Sequence, residues 1–156
     1  MTTPILLNPN GQLLPTILER LQEVRKTKPI WARRIETAGH VATLEGQIAV
    51  QPGDFLCRGI ADEFWPQKEA KLLEKYVPAG QPDPEGWQRF DPKPDSRPVE
   101  AAQVEHGFQV IAQWGQLLGK PGDFVVRSKT DPADIWLVDQ VIFRASYELV
   151  DPKPSR

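Results

Sequence analysis

The sequence predicts an α+β protein, mainly β, made of two small antiparallel units that share one plan and each end in a short helix. Three observations lead there. The tetrapeptide Pro-Gly-Asp-Phe occurs twice, at 52–55 and 121–124. The residues around it align over a long stretch. The chain also carries 16 prolines, about twice the usual share, which favour turns and strand edges over long helices. A unit of roughly 70 residues buries too little apolar surface to stand comfortably alone. The expectation is therefore a pseudo-twofold pair in which the units shield one another's apolar faces.

Taken in order, residues 1–27 read as an N-terminal segment with an amphipathic helix. Leu14, Ile17, Leu18, Leu21 and Val24 fall at helical spacing, and Pro15 suits a first turn. The first unit covers 28–78. It opens with a strand over 29–35, followed by a second over 40–44, a Gly46-Gln47 turn and a third strand over 48–50. Pro52, Gly53 and Asp54 then form a tight turn: proline fixes φ at the first corner, glycine supplies φ > 0 at the second, and the aspartate can accept backbone N–H bonds. An apolar strand over 55–58 follows, and a hairpin returns as Phe64-Trp65. A helix over 67–76 closes the unit with Ala70, Leu73 and Tyr76 on one face. Residues 79–96, with Pro82, Pro84, Pro92 and Pro94, read as a linker. The second unit, 97–150, repeats the plan: strands over 98–104, 108–112 and 124–127, the turn Pro121-Gly122-Asp123, the return Ile135-Trp136 and a helix over 138–147. A short tail, 151–156, ends the chain.

The two units align without a gap when Gly53 is set over Gly122, an offset of 122 − 53 = 69. Residues 28–58 then share 11 identities over 31 positions with 97–127, against roughly two for unrelated segments of ordinary composition. Beyond a two-residue insertion the offset becomes 71. Trp65 meets Trp136 (136 − 65 = 71), Tyr76 meets Tyr147 (147 − 76 = 71) and Leu72 meets Phe143. Two copies are too few for a solenoid.

These residues resemble the PGDYG family, largely uncharacterised proteins of bacteria and their phages. The likeness runs through Lys28-Pro29-Ile30, Thr43-Leu44-Glu45-Gly46, Pro52-Gly53-Asp54-Phe55, Glu63-Phe64-Trp65-Pro66, Leu72 and Tyr76. It is thinner in the second unit, at Pro121-Gly122-Asp123-Phe124, Trp136, Phe143 and Tyr147. Both units carry Phe where the motif has Tyr. The resemblance implies the unit's boundaries and, by analogy, a phage or mobile-element setting.

Candidate chemistry rests on duplicated polar residues. Arg58 and Glu63 lie on the two arms of one expected hairpin, and Arg127 and Asp134 repeat the arrangement. A cross-strand ion pair explains the pattern structurally; a guanidinium free to grip a phosphate or carboxylate is the sharper reading. Trp31, Trp87 and Trp114 have no Trp counterpart in the other copy, and Trp31 on a half-exposed strand suggests a contact surface. Catalytic groups are scarce. His40 and His106 are not equivalent, no serine has a nucleophile-elbow context, and Cys57 falls opposite Val126, as a small buried residue would.

The single cysteine excludes an internal disulfide or a thiolate cage, and no cofactor or metal is expected. No apolar run approaches the roughly 18 residues that span a bilayer, and the N-terminus lacks a signal-peptide pattern, so a cytoplasmic protein is expected. The formal charge of −2 argues against a dedicated phosphate-backbone binder. The leading expectation is a non-enzymatic binding module for a protein partner or a small anion. One alternative is a nucleotide- or anion-processing enzyme using Arg58, Glu63, Arg127 and Asp134 between the units. A weaker one is a nucleic-acid binder using Trp31 with Lys28, Arg33 and Arg34.

Overall fold

The computed structural model describes residues 4–93, 99–113 and 115–150. Trp114, the start of the strand expected from Pro98, and the 151–156 tail lie outside them. The described chain is mainly β, with short strands in several antiparallel sheets and three short helices. In order they are β1 (Ile5–Leu6), α1 (Pro15–Leu18), β2 (Gln22–Lys26), β3 (Ile30–Arg34), β4 (Gly39–Thr43), β5 (Gly46–Val50), β6 (Phe55–Arg58), β7 (Phe64–Gln67), α2 (Glu69–Lys75) and β8 (Tyr76–Ala79). Then follow β9 (Gln88–Pro92), β10 (Val99–Gln103), β11 (Phe108–Ala112), β12 (Gly115–Gly119), β13 (Phe124–Ser128), β14 (Ile135–Val138), α3 (Gln140–Ser146) and β15 (Tyr147–Leu149).

The chain divides into two compact units, one of 27–93 with 115–116 and one that joins 4–26 to 99–113 and 117–150. In the 27–93 unit five antiparallel strands lie in the order β7-β6-β3-β9-β8. Strand side chains alternate between faces. One face carries Ile30, Ala32, Cys57 and Phe90, buried with Leu72 of α2 and with Tyr76, while Phe55 and Trp65 pack at the margin. The β4–β5 hairpin packs along β7.

The other unit contains a second five-stranded sheet, β14-β13-β10-β2-β15, and a smaller sheet in which β1 runs parallel to β11 and β11 neighbours β12. Val24, Ala101, Val126 and Phe143 form the core on one face, flanked by Phe124, Trp136 and Tyr147. The rings of Phe124, Phe143 and Tyr147 stack in series, with centroids 3.8 and 4.8 Å apart. A further set, Leu7, Leu13, Ile17, Ala102, Val104, Phe108, Val110, Leu117, Val125 and Leu137, is also buried.

Two expectations are corrected. The N-terminal segment is not one amphipathic helix: only Pro15–Leu18 is helical, and Gln22–Lys26 is a strand between β10 and β15. Isolated short helices are marginal, and here Val24 gains a place in a sheet core while Glu23 and Arg25 alternate to the other side. The stretch 79–96 is not merely a linker, because it supplies β9, which runs between β3 and β8. Phe90 anchors β9 in the core. The neighbouring prolines are tolerated because Pro92 ends β9, and Pro78 and Pro66 sit in the edge strands β8 and β7.

The Pro-Gly-Asp turns have one geometry at both places. Gly53 has φ 95° and Gly122 φ 93°. Asp54 N–H donates to Gln51 O at 3.1 Å, and Asp123 N–H to Lys120 O at 3.0 Å, closing turns with Pro and a positive-φ Gly at the corners, the type II pattern. Gly53 N–H reaches Ile35 O and Gly122 N–H reaches Val104 O, at 2.9 and 2.7 Å. Asp54 and Asp123, 3% and 2% exposed as residues, accept the N–H of Gln51 and of Lys120 through their carboxylates.

Each buried carboxylate also holds a lysine, but not an equivalent one. Lys68, just ahead of α2, bonds Asp54 at 2.9 Å. Lys120, inside the other turn, bonds Asp123 at 2.8 Å and Asp139 at 2.7 Å, and Asp139 caps α3 through the N–H groups of Val141 and Ile142. In the sequence register Gln51 aligns with Lys120 (51 + 69 = 120) and Lys68 with Asp139 (68 + 71 = 139). The lysine stands at the helix start in one unit and in the turn in the other, yet an ionic contact joins turn and helix start in both. The Lys120 hydrogen bond lowers the pKa of Asp139, against the opposing effect of partial burial and with help from the helix N–H groups. Partial burial alone depresses the pKa of Lys120, but its bonds and attraction to Asp123 and Asp139 outweigh it and raise the value above normal.

Candidate functional site

The sheet face of the 27–93 unit opposite its core carries the candidate site. Directly opposed residues in an antiparallel pair project to the same side. Phe64 opposes Arg58, Arg58 opposes Trp31, and Trp31 opposes Arg89. One row across β7, β6, β3 and β9 therefore reads ring, cation, ring, cation. Arg33, two residues along β3 from Trp31, points the same way. Trp87 enters from the loop ahead of β9, where the Asp83 carboxylate accepts the N–H of Glu85 and of Trp87, each at 2.9 Å.

Trp87 is the anchor of this face. Its ring, 6% exposed, has the Arg33 guanidinium 4.7 Å and the Arg58 guanidinium 4.6 Å from its centroid. Phe64 tilts against it at 6.1 Å. Arg58 also lies 5.6 Å from the centroid of Trp31. Among the described residues neither Arg33 nor Arg58 has a carboxylate partner; Arg33 makes only a 3.5 Å bond to the Glu85 carbonyl. Arg89 pairs with Asp91 on its own strand at 2.8 Å. Arg33, Phe64 and Arg89 are exposed and Trp31 is half-buried.

The hairpin ion pairs expected from the sequence do not form. The ladder sets Arg58 against Phe64 and Arg127 against Ile135, so each expected acid falls one residue outside the pairing. Glu63 folds back over Gly59 and accepts the Ala61 N–H at 3.0 Å, closing its own turn. Asp134 accepts the Ser128 N–H through its backbone carbonyl. Arg127 instead bonds Glu100 of β10 at 3.1 Å, with both side chains about one-fifth exposed.

The equivalent row in the other unit therefore differs in charge. It reads Ile135, Arg127, Glu100, Glu23, and Glu23 is held by Lys129. Where Arg127 faces a glutamate, Arg58 faces a tryptophan. No family model, curated protein or solved structure matches this chain. The remaining candidates scatter. Arg34 turns to the core side, over Phe55 and paired with Glu69 of α2 at 3.0 Å, and Lys28 is exposed ahead of β3. Arg58 and Glu63 belong to one unit, Arg127 and Asp134 to the other.

No group of three or more His, Cys, Asp or Glu among the described residues could hold a metal ion. Cys57 is buried in the core, with the Gln67 side-chain amide 3.6 Å from its sulfur. Among the described residues no helix is long and apolar enough to cross a membrane. The sequence pointed to Arg58 in a hairpin pair with Glu63 and, separately, to Trp31 with Arg33, and did not single out Phe64 or Arg89. The signal was present in Trp87-Gln88-Arg89-Phe90-Asp91, whose period-two alternation marks a strand; the surrounding prolines masked it.

Proposed function

We propose that the chain is a non-enzymatic binding module, built from two copies of one Pro-Gly-Asp-Phe unit, that takes an anionic ligand on the open sheet face of the 27–93 unit. The observation that carries this reading is the contrast between Arg58 and Arg127. In one unit the arginine is neutralised by Glu100. In the other the guanidinium lies 4.6 Å from the Trp87 centroid and 5.6 Å from that of Trp31, with no carboxylate partner among the described residues. A guanidinium packed face-on to a ring keeps its in-plane N–H groups for a phosphate or carboxylate. Arg33, 4.7 Å from the centroid of the same Trp87, supplies a second guanidinium.

The duplication is supported by the aligned sequence, the matching turns and the two five-stranded sheets. Their strand orders coincide when β2 is set against β9. Each of these strands precedes one copy in the chain yet lies in the sheet of the other copy, so the repeating element extends to the strand ahead of it and the chain exchanges the two. The likeness to the PGDYG family, with its phage setting, belongs to this reading.

Pyrophosphate serves as a simple probe. A ligand at 100 times its dissociation constant stabilises a fold by about 2.7 kcal/mol, so thermal unfolding of the full chain in pyrophosphate should rise with concentration. Arg58→Met should abolish the rise and Arg127→Met should leave it. No rise for the parent chain, or equal loss in both variants, refutes the proposal.

A further inference from the structure

The geometry points to single-stranded nucleic acid as the ligand of this face, an inference that rests on the anion-binding reading above. The row Phe64, Arg58, Trp31, Arg89 crosses the strands, so its members are one strand spacing apart, about 4.8 Å. Its two rings are then about 10 Å apart, with a cation beside each. A ligand that uses the whole row must present planar apolar faces and negative charge alternately along one line.

A single strand of nucleic acid does this, with bases for the rings and phosphates for the guanidinium groups. A duplex keeps its base faces stacked inside. An acidic peptide brings charge without the planar faces. The side chains are also prepared for it. Trp87 is almost fully buried, and its ring holds the guanidinium groups of Arg33 and Arg58 within 4.7 Å of its centroid. Phe64 is 37% exposed and Trp31 half-buried, leaving ring surface for a base to cover. Arg89 is itself paired with Asp91 at 2.8 Å, which leaves Arg33 and Arg58 as the cations of this face without a carboxylate partner among the described residues. The chain's overall charge of −2 conceals this local arrangement, because the other unit neutralises the corresponding positions with Glu100 and Glu23.

The test is fluorescence anisotropy of a labelled oligothymidine with the full-length chain, together with quenching of tryptophan emission. Contact of two phosphates with Arg33 and Arg58 predicts a slope of log K against log salt of about −1.4, from about −0.7 per phosphate on a single strand. Arg58→Ala should weaken binding and reduce the slope by about 0.7. Trp31→Ala should weaken binding about tenfold with little change of slope, since stacking is uncharged. Trp31→Phe should recover most of the loss, which separates lost stacking from a misfolded sheet. Arg127→Ala should change neither quantity.

Equal affinity for a blunt duplex or for polyglutamate of the same charge overturns the inference, as does indifference to Trp31→Ala in a folded variant. If oligothymidine fails while pyrophosphate still engages Arg58, the nucleic-acid inference falls and the anion-binding module stands. If neither ligand engages Arg58, both fall.

Discussion

A methyl group added at Gly53 or at Gly122 enters the same turn with nearly the same backbone, φ 95° and 93°, but meets different surroundings. At Gly53 the new Cβ has no atom within 4 Å. The Gly53→Ala cost is therefore the backbone term alone, about 1–2 kcal/mol for an L-residue forced to positive φ. At Gly122 the Cβ would lie 2.5 Å from Oε1 of Gln140, whose side chain must swing away. Adding about 0.5–1.5 kcal/mol for a displaced rotamer brings Gly122→Ala to about 1.5–3.5 kcal/mol. Gly53→Asn should be milder than Gly53→Ala, because Asn tolerates positive φ. Urea unfolding followed by far-UV circular dichroism reads these as shifts in midpoint at constant slope. A Gly53→Ala protein as stable as the parent would refute the turn argument. So would a Gly53→Ala loss larger than that of Gly122→Ala, since steric crowding exists only at the second site.

Asp139→Ala should cost about 1 kcal/mol near neutral pH, because its carboxylate accepts two N–H groups at the start of α3. Its folded pKa is lowered, so the parent chain should hold this stability above the ordinary aspartate value of about 3.9 and lose it as pH falls through the lower folded value. Urea midpoints of parent and variant should then converge in acid; a gap that stays constant to low pH contradicts the assignment. Lys120, with its pKa raised, acts at the other limb: its contribution is present below about 10.4 and is lost as pH climbs through the higher folded value. Fragments provide an independent check. Residues 27–93 contain every strand of the sheet β7-β6-β3-β9-β8, and a separately expressed 27–93 should give cooperative unfolding. Residues 97–150 lack β2, which stands between β10 and β15, and should not fold unless a 1–26 peptide is added. Cooperative folding of 97–150 by itself would remove the structural weight placed on β2.

Much of the plan was legible because it depends on local chemistry. Pro and Gly in succession dictate a corner wherever they fall, and Asp54 and Asp123 fix it with bonds to neighbouring N–H groups. Strand pairs such as β4–β5 and β6–β7 follow from alternation over a few residues. Two short helices are expected where α2 and α3 lie, but α2 turns Leu72 inward and leaves Ala70 and Leu73 exposed, and Tyr76 opens β8 rather than closing the helix. The partner of an arginine was not legible. Glu63 is near Arg58 in sequence and Asp134 near Arg127, yet ladder register, a one-residue matter, sets Phe64 and Ile135 opposite them instead. Likewise β9 appeared as linker because its prolines outweighed a five-residue alternation, until edge positions made those prolines harmless.

The sequence by itself determined the two Pro-Gly-Asp turns and most of the short strands around them, since each is written in neighbouring residues. Only the tertiary structure decided which strand completes which sheet, and with it which side chains share a face. Val24 and Phe90 enter cores far along the chain from their own neighbours, because burying an apolar side chain between two hydrogen-bonded strands outweighs the weak preferences of a short segment. That same cross-chain pairing sets Trp31 between Arg58 and Arg89 but Glu100 between Arg127 and Glu23, leaving one arginine neutralised and the other without a carboxylate among the described residues.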